Sequence, residues 1–320
     1  MRGIMARMHY WLGMFERKRV DMSKKFIGIL AVAAALALVA GVLTGCGSSG
    51  GSASGSASGN ASSASAAASG SFRTLDDIKS SGKLVIGVFS DKSPFGYVDE
   101  NGEYAGYDIE LANRLAKDLG VEVEFVSTEA ANRVEYLQTG KVDIILANFT
   151  VTPERAEQVD FADPYMNVAL GVVSPSDKVI TDLSQIGADD QVIVITGTTA
   201  ETYLTKNNPE IKLQKYDTYA SAKTAFENGT GVAWANDNTE VIAFANASKG
   251  FTVGIESLGD LDTIAPAVSK GNTTLLEWIN EDLAKLGSEK FFHADYEKTL
   301  LDVYGADYEN TLVVEPGQKK

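Results

Sequence analysis

The sequence predicts an α/β protein whose folded body divides into two lobes. Short β-rich apolar runs alternate with segments of helical period from residue 84 onward. The alternation comes as two series, separated by the apolar stretch 166–173. The composition, 44% hydrophobic and 22% charged over 320 residues, is that of a globular chain. Strands alternating with helices call for mainly parallel sheets flanked by helices, with ligands gathering beyond the carboxyl ends of the strands.

Before the body stands a targeting segment. Residues 26–43 run eighteen positions without a charge, directly after Lys24 and Lys25, which makes a basic region followed by an apolar one. That length sits at the lower limit for spanning a bilayer, and the residues that follow decide between the readings. Leu43-Thr44-Gly45-Cys46 resembles a bacterial lipobox, in which the cysteine sulfur is lipidated and the chain is cut just before it. The only cysteine of the chain stands at the one position where that processing needs it. Residues 1–45 are therefore expected to be a signal segment, with Met22 the natural start and 22–45 the signal peptide proper. Residues 46–71 then comprise the lipidated Cys46 and a linker of Gly, Ser, Ala and Asn. With no large apolar side chain such a linker forms no core, and 25 residues of it reach roughly 25–30 Å as a coil.

In the body, strands are expected at 84–89, 121–126, 142–149, 192–196, 211–216 and 232–235. The segment 108–119 places Ile109, Ala112, Leu115, Ala116 and Leu119 on one face of a helix. Further helices are expected at 132–139, 199–206, 219–227, 237–247 and 273–286.

Charge and composition exclude several functions. There are 28 Lys and Arg against 43 Asp and Glu, and removing residues 1–45 takes away seven basic side chains but only two acidic ones. So acidic a surface repels nucleic-acid backbones. One cysteine forms no internal disulfide, and with only His9 and His293 a Cys/His zinc site is excluded. Gly229-Thr230-Gly231 precedes a strand rather than following one, so it is no phosphate-binding fingerprint. No metal and no cofactor is expected.

Gly106-Tyr107-Asp108-Ile109-Glu110-Leu111, followed by Leu115-Ala116 and Leu119, resembles the signature of the family-3 bacterial solute-binding proteins, the amino-acid receptors of ABC importers. The likeness continues through Thr150-Val151-Thr152-Pro153-Glu154-Arg155, Phe161-Ala162-Asp163-Pro164-Tyr165, Gly197-Thr198-Thr199 and Asp237, in family order. Gly87-Val88-Phe89, Asp91-Lys92, Phe95-Gly96-Tyr97-Val98-Asp99, Glu129 to Arg133, Ala147-Asn148-Phe149-Thr150 and Phe291-Phe292-His293 are similar to the cysteine-binding lipoproteins of that family. The resemblance implies a two-lobed type II periplasmic-binding-protein fold with the ligand cleft between the lobes. Lobe 1 is then 72–168 plus 266–320 and lobe 2 is 169–265, with a hinge near 167–169 and 264–266.

A free amino acid offers a carboxylate, an ammonium and a side chain, so its receptor needs a planar cation, an anion and a selective pocket. On spacing alone Arg155 reads first as a surface residue paired with Glu154; the resemblance reverses this and implies that it forks onto the α-carboxylate. Thr150, otherwise a turn residue, and Thr199, otherwise a cap, join it there. Gly197 opens a helix whose exposed N–H groups suit an anion. Asp237, otherwise an N-cap, takes the α-ammonium in the family. Phe95 fits either core or cleft. Phe89, Lys92 and Arg133 match positions that face the ligand side chain, although Lys92 and Arg133 also fit the commoner role of solvated cations, and the resemblance adds Asn148 to the ligand-binding set.

The expectation is a monomeric receptor, not an enzyme, held outside the bacterial cell membrane by Cys46. It would capture a small polar L-amino acid, cysteine before aspartate, glutamate, glutamine or cystine, and deliver it to an ABC permease with its ATPase subunits. An enzyme of the dehydratase kind known among relatives, and an adhesin or sensor module, are the rival readings. Phe89 separates the ligands: an apolar ring suits a thiol, whereas an acidic side chain needs a base there.

Overall fold

The computed structural model describes residues 72–317. The signal segment, Cys46 and the linker 47–71 lie outside the described residues. Two five-stranded sheets organise the body. The first has the strand order Glu122–Ser127, Lys83–Val88, Ile144–Ile145, Ala267–Ser269, Val159–Phe161, and the second Lys212–Tyr216, Gln191–Ile195, Ala233–Asp237, Met166–Pro175, Phe251–Ile264. In each sheet the first three strands are parallel, as the alternation with helices requires, and the last two pair antiparallel. The first sheet thus takes strands from both sides of the segment that builds the second.

The antiparallel strands are the ones that periodicity missed. Met166–Pro175 and Phe251–Ile264 run side by side from the pair Met166 and Ile264 to the pair Pro175 and Phe251, with three register shifts. Phe251–Ile264 is an edge strand, half exposed along most of its length, so it lacks the apolar run that marks a strand in sequence. The expected strand 142–149 is reduced to Ile144–Ile145 in the ladder. Its end bends away because Asn148 takes the left-handed conformation, φ 45°.

The helices follow the reading to within one or two residues, except that the expected 132–139 is a 3-10 turn, Ala130–Asn132, running into the short helix Arg133–Gln138. Tyr107–Leu119 runs from Gly106 to the left-handed Gly120 and buries Ile109, Leu111, Ala112, Leu115 and Ala116. Tyr219–Glu227 starts after Thr218, whose hydroxyl accepts from the N–H of Ser221. Asn238–Ala247 begins one residue later than expected, because Asp237 ends a strand and makes no side-chain cap bond. A three-stranded antiparallel ribbon, Asp91–Lys92, Gly96–Val98 and Tyr104–Ala105, hangs beside the first sheet. It carries Lys92 inward, where that side chain is wholly buried. Among the described residues no helix is long and apolar enough to cross a membrane.

Candidate functional site

The chemistry-bearing residues converge where the strand ends of the two sheets face each other. Lys92, the only lysine with no exposure among the described residues, donates from Nζ to Asn148 Oδ1 at 2.6 Å and to Asp237 Oδ2 at 3.0 Å. Its ammonium lies 4.8 Å from the ring centroid of Tyr219, 5.5 Å from Phe95 and 5.7 Å from Phe89. Burial opposes its charge, but the Asp237 carboxylate, with Tyr219 and Glu240, outweighs that and holds it above the ordinary lysine range. Asp237 itself is 5% exposed, and its Oδ1 lies 3.4 Å from the Thr199 hydroxyl.

Two guanidinium groups stack against Phe149, at 4.5 Å for Arg133 and 4.7 Å for Arg155. Neither pairs with a carboxylate among the described residues; both are held by backbone carbonyls. Arg133 donates from Nε to Ala130, from Nη1 to Ala147 and Asn148, and from Nη2 to Gly197, so four of its five N–H groups are used. Arg155 donates only to Thr150 at 2.7 Å and Gly197 at 3.0 Å. Burial and the charge of Arg133 push the Arg155 guanidinium down to about 9. A desolvated cation with three donors unspent, beside a second cation, is a place for an anion.

Across from Arg133 lies the turn that opens the helix Thr199–Asn207. Gly197, at this turn, contributes both an N–H and a carbonyl. That N–H donates to Glu201 Oε2 at 2.7 Å, and it is the carbonyl that takes part, accepting both guanidinium groups. The helix is capped by Thr198, whose hydroxyl accepts from the N–H of Glu201, which leaves Thr199 free of the capping role. Phe89 meets Tyr219 edge to face at 5.1 Å across the two sheets. Phe95, which fitted core or cleft, is wholly buried in the core cluster under the ribbon and floors the Lys92 cage. Lys92 and Arg133 are not the solvated cations that residue type alone favours: both are buried, at 0% and 3% exposure.

A cavity of about 480 Å³ opens beside Arg155, Gly197 and Thr199 and is lined also by Thr152, Lys206 and Asp262. Burial, with Asp237 and Asp260 near it, raises the Asp262 carboxyl above its usual range. Among the described residues no group of His, Cys, Asp and Glu is arranged to hold a metal ion.

Residues 84–300 match the model of the bacterial extracellular solute-binding proteins, family 3. The chain belongs to this family. Among solved structures, the solute receptor for L-cysteine of Neisseria gonorrhoeae shares 53% identity at a TM-score of 0.74, covering 76% of this chain and all of that one. The cysteine-binding protein of Campylobacter jejuni shares 50% at a TM-score of 0.74, over 75% of this chain and 98% of that one. The glutamine-binding protein of an ABC transporter in Bacillus subtilis is 31% identical over 70% of this chain and 84% of its own length.

As a family-3 solute-binding protein, the molecule has the two-lobed type II periplasmic-binding fold. Sequence reasoning missed Tyr219, Ala130 and Asp108. Tyr219 reads as the apolar start of a helix, and nothing local says that it faces Phe89 across the cleft. Ala130 contributes only a carbonyl, which no residue type signals. Asp108 belongs to the motif that carried the resemblance, but its place in a helical repeat suggests a solvated side chain, and it is wholly buried.

Proposed function

We propose that this family-3 protein is the receptor of an amino-acid ABC importer, anchored outside the membrane through Cys46, and that its ligand is L-cysteine. The observation that carries the ligand assignment is the inventory of spent and unspent donors. Arg155 has a free fork for one carboxylate. Arg133 has a single N–H left, and Lys92 is already neutralised by Asp237. The ligand's α-carboxylate takes Arg155, beside Thr150 and Thr199, and its ammonium shares Asp237. A second carboxylate, as in glutamate or aspartate, then finds only the one N–H left on Arg133 and the one left on Lys92, with no free fork, and its burial without a full partner costs several kcal/mol. A thiol loses little on leaving water and packs against Phe89 and Tyr219. The two relatives at 50% identity or more, each described as binding cysteine, support the same choice.

The protein performs no chemistry in this reading. The ligand bridges groups from both lobes, favours the closed form by its differential affinity, and is handed to the permease and ATPase subunits. A thermal-shift screen of the twenty amino acids and cystine under matched conditions tests the assignment, because a ligand that binds only the native state raises the unfolding temperature. L-cysteine is expected to give the largest shift under reducing conditions, and mass analysis to recover it unchanged.

A further inference from the structure

Asp108 stands in the first turn of the helix Tyr107–Leu119, with no exposure to solvent. Its Oδ1 accepts from the Tyr165 hydroxyl at 2.6 Å and its Oδ2 from the backbone N–H of Asn148 at 2.8 Å. Asn148 is the residue in the left-handed conformation at the end of the central strand. Such a backbone is uncommon outside glycine, although asparagine adopts it more readily than other residues, and here its N–H is held by Asp108. From that turn the Asn148 side chain accepts from Lys92 at 2.6 Å, and its carbonyl accepts from Arg133 at 3.2 Å. One buried carboxylate thus anchors the turn from which two of the three cleft cations hang.

We infer that Asp108 is a positioning residue of the ligand cleft, fixing the Asn148 turn and, through it, the placement of Lys92 and Arg133. The inference rests on the receptor reading for its effect on affinity, and on bond geometry alone for the anchoring. The groups that face Asp108 are Tyr165, Lys92 and Arg133, which favour its ionised form, and Tyr107 and Asp295, on its own helix and on Phe291–Thr299. Burial pushes its carboxyl up to about 6, against the two hydrogen bonds that draw it down. Protonation leaves one oxygen fewer to accept from Tyr165 and Asn148, so the turn loosens as pH falls through this value.

Asp108→Asn and Tyr165→Phe test the inference, the second keeping the ring and the fold if the first does not fold. In the absence of any amino acid, the Asn148 amide resonance, followed by NMR from pH 4.5 to 8, should titrate near pH 6 in the native protein. It should titrate at higher pH in Tyr165→Phe, which loses a bond to the ionised form, and not at all in Asp108→Asn. By calorimetry with L-cysteine at pH 7.5, Asp108→Asn should bind at least tenfold more weakly and Tyr165→Phe at least threefold. A native Asn148 amide indifferent to pH, or a folded Asp108→Asn that binds within twofold of the native protein, overturns the inference. A native protein that ignores L-cysteine while its Asn148 amide titrates as stated contradicts the ligand assignment and supports the anchoring.

Discussion

At Gly197 an added methyl group would lie 2.5 Å from the Cα of Ala131 and 2.7 Å from its nitrogen, both backbone atoms of the facing lobe. Its φ of 81° also lies in the left-handed region that favours glycine. The short distances arise only where the lobes meet, so Gly197→Ala should weaken amino-acid binding by at least tenfold and reduce stability by only about 1 kcal/mol, the strain of the turn. Calorimetry beside a urea titration checks both; equal affinity would show that the turn does not meet the other lobe. Arg155→Ala and Asp237→Ala should each weaken binding by about 2–5 kcal/mol, because each leaves a buried ligand charge unpaired, a loss of roughly thirtyfold to several thousandfold. Affinities within threefold of the native protein for both would remove them from the site. Residue types and motif order pointed to both positions. What they did not carry was bonding: that Lys92 pairs with Asp237, and that Arg133 reaches the Gly197 carbonyl, depends on segments 145 and 64 positions apart.

Among the elements, the helices and central parallel strands were legible because each carries its own apolar pattern, reinforced in Thr199–Asn207 and Tyr219–Glu227 by a threonine cap. The long strand Phe251–Ile264 was not: its Gly, Glu and Asp residues face solvent at a sheet edge, and only pairing with Met166–Pro175 makes it a strand. The helix Phe291–Thr299 likewise escaped, being short and carrying a buried Asp295 where its period gives no reason for one. It packs on Tyr107–Leu119. Burial, with Glu110 adding its charge, pushes the Asp295 carboxyl up to about 9, and its Oδ2 has no hydrogen-bond partner. The native state therefore keeps this proton while the unfolded chain releases it near pH 4, so the stability it contributes is lost as pH rises from about 4 to about 9. Asp295→Asn should be more stable than the native protein at pH 8, by a margin that shrinks toward pH 4. Urea midpoints at pH 5 and pH 8 read this directly, and parallel pH slopes for the two proteins would refute it.

For the molecule as a whole, the proposed anchoring through Cys46 would keep the two-lobed body near its membrane partner. Anchoring at Cys46 requires at least two acyl chains, since one gives only reversible binding. Mass spectrometry of the protein purified from its native membrane should find a mature chain beginning at lipidated Cys46; an unmodified Cys46 still preceded by residues 23–45 would sink the anchor. The lobes themselves were legible because two α/β series read as two sheets, whereas the antiparallel pairing that joins them is a matter of tertiary register. The central claim is that the cleft has one guanidinium fork free and therefore one carboxylate to receive. Competitive calorimetric titration of L-cysteine, L-glutamate and L-aspartate under reducing conditions tests it most directly. The account predicts L-cysteine at least tenfold tighter than either acid, about 1.4 kcal/mol; either acid binding tenfold tighter than L-cysteine would show that Arg133 or Lys92 serves a second carboxylate and would contradict the account.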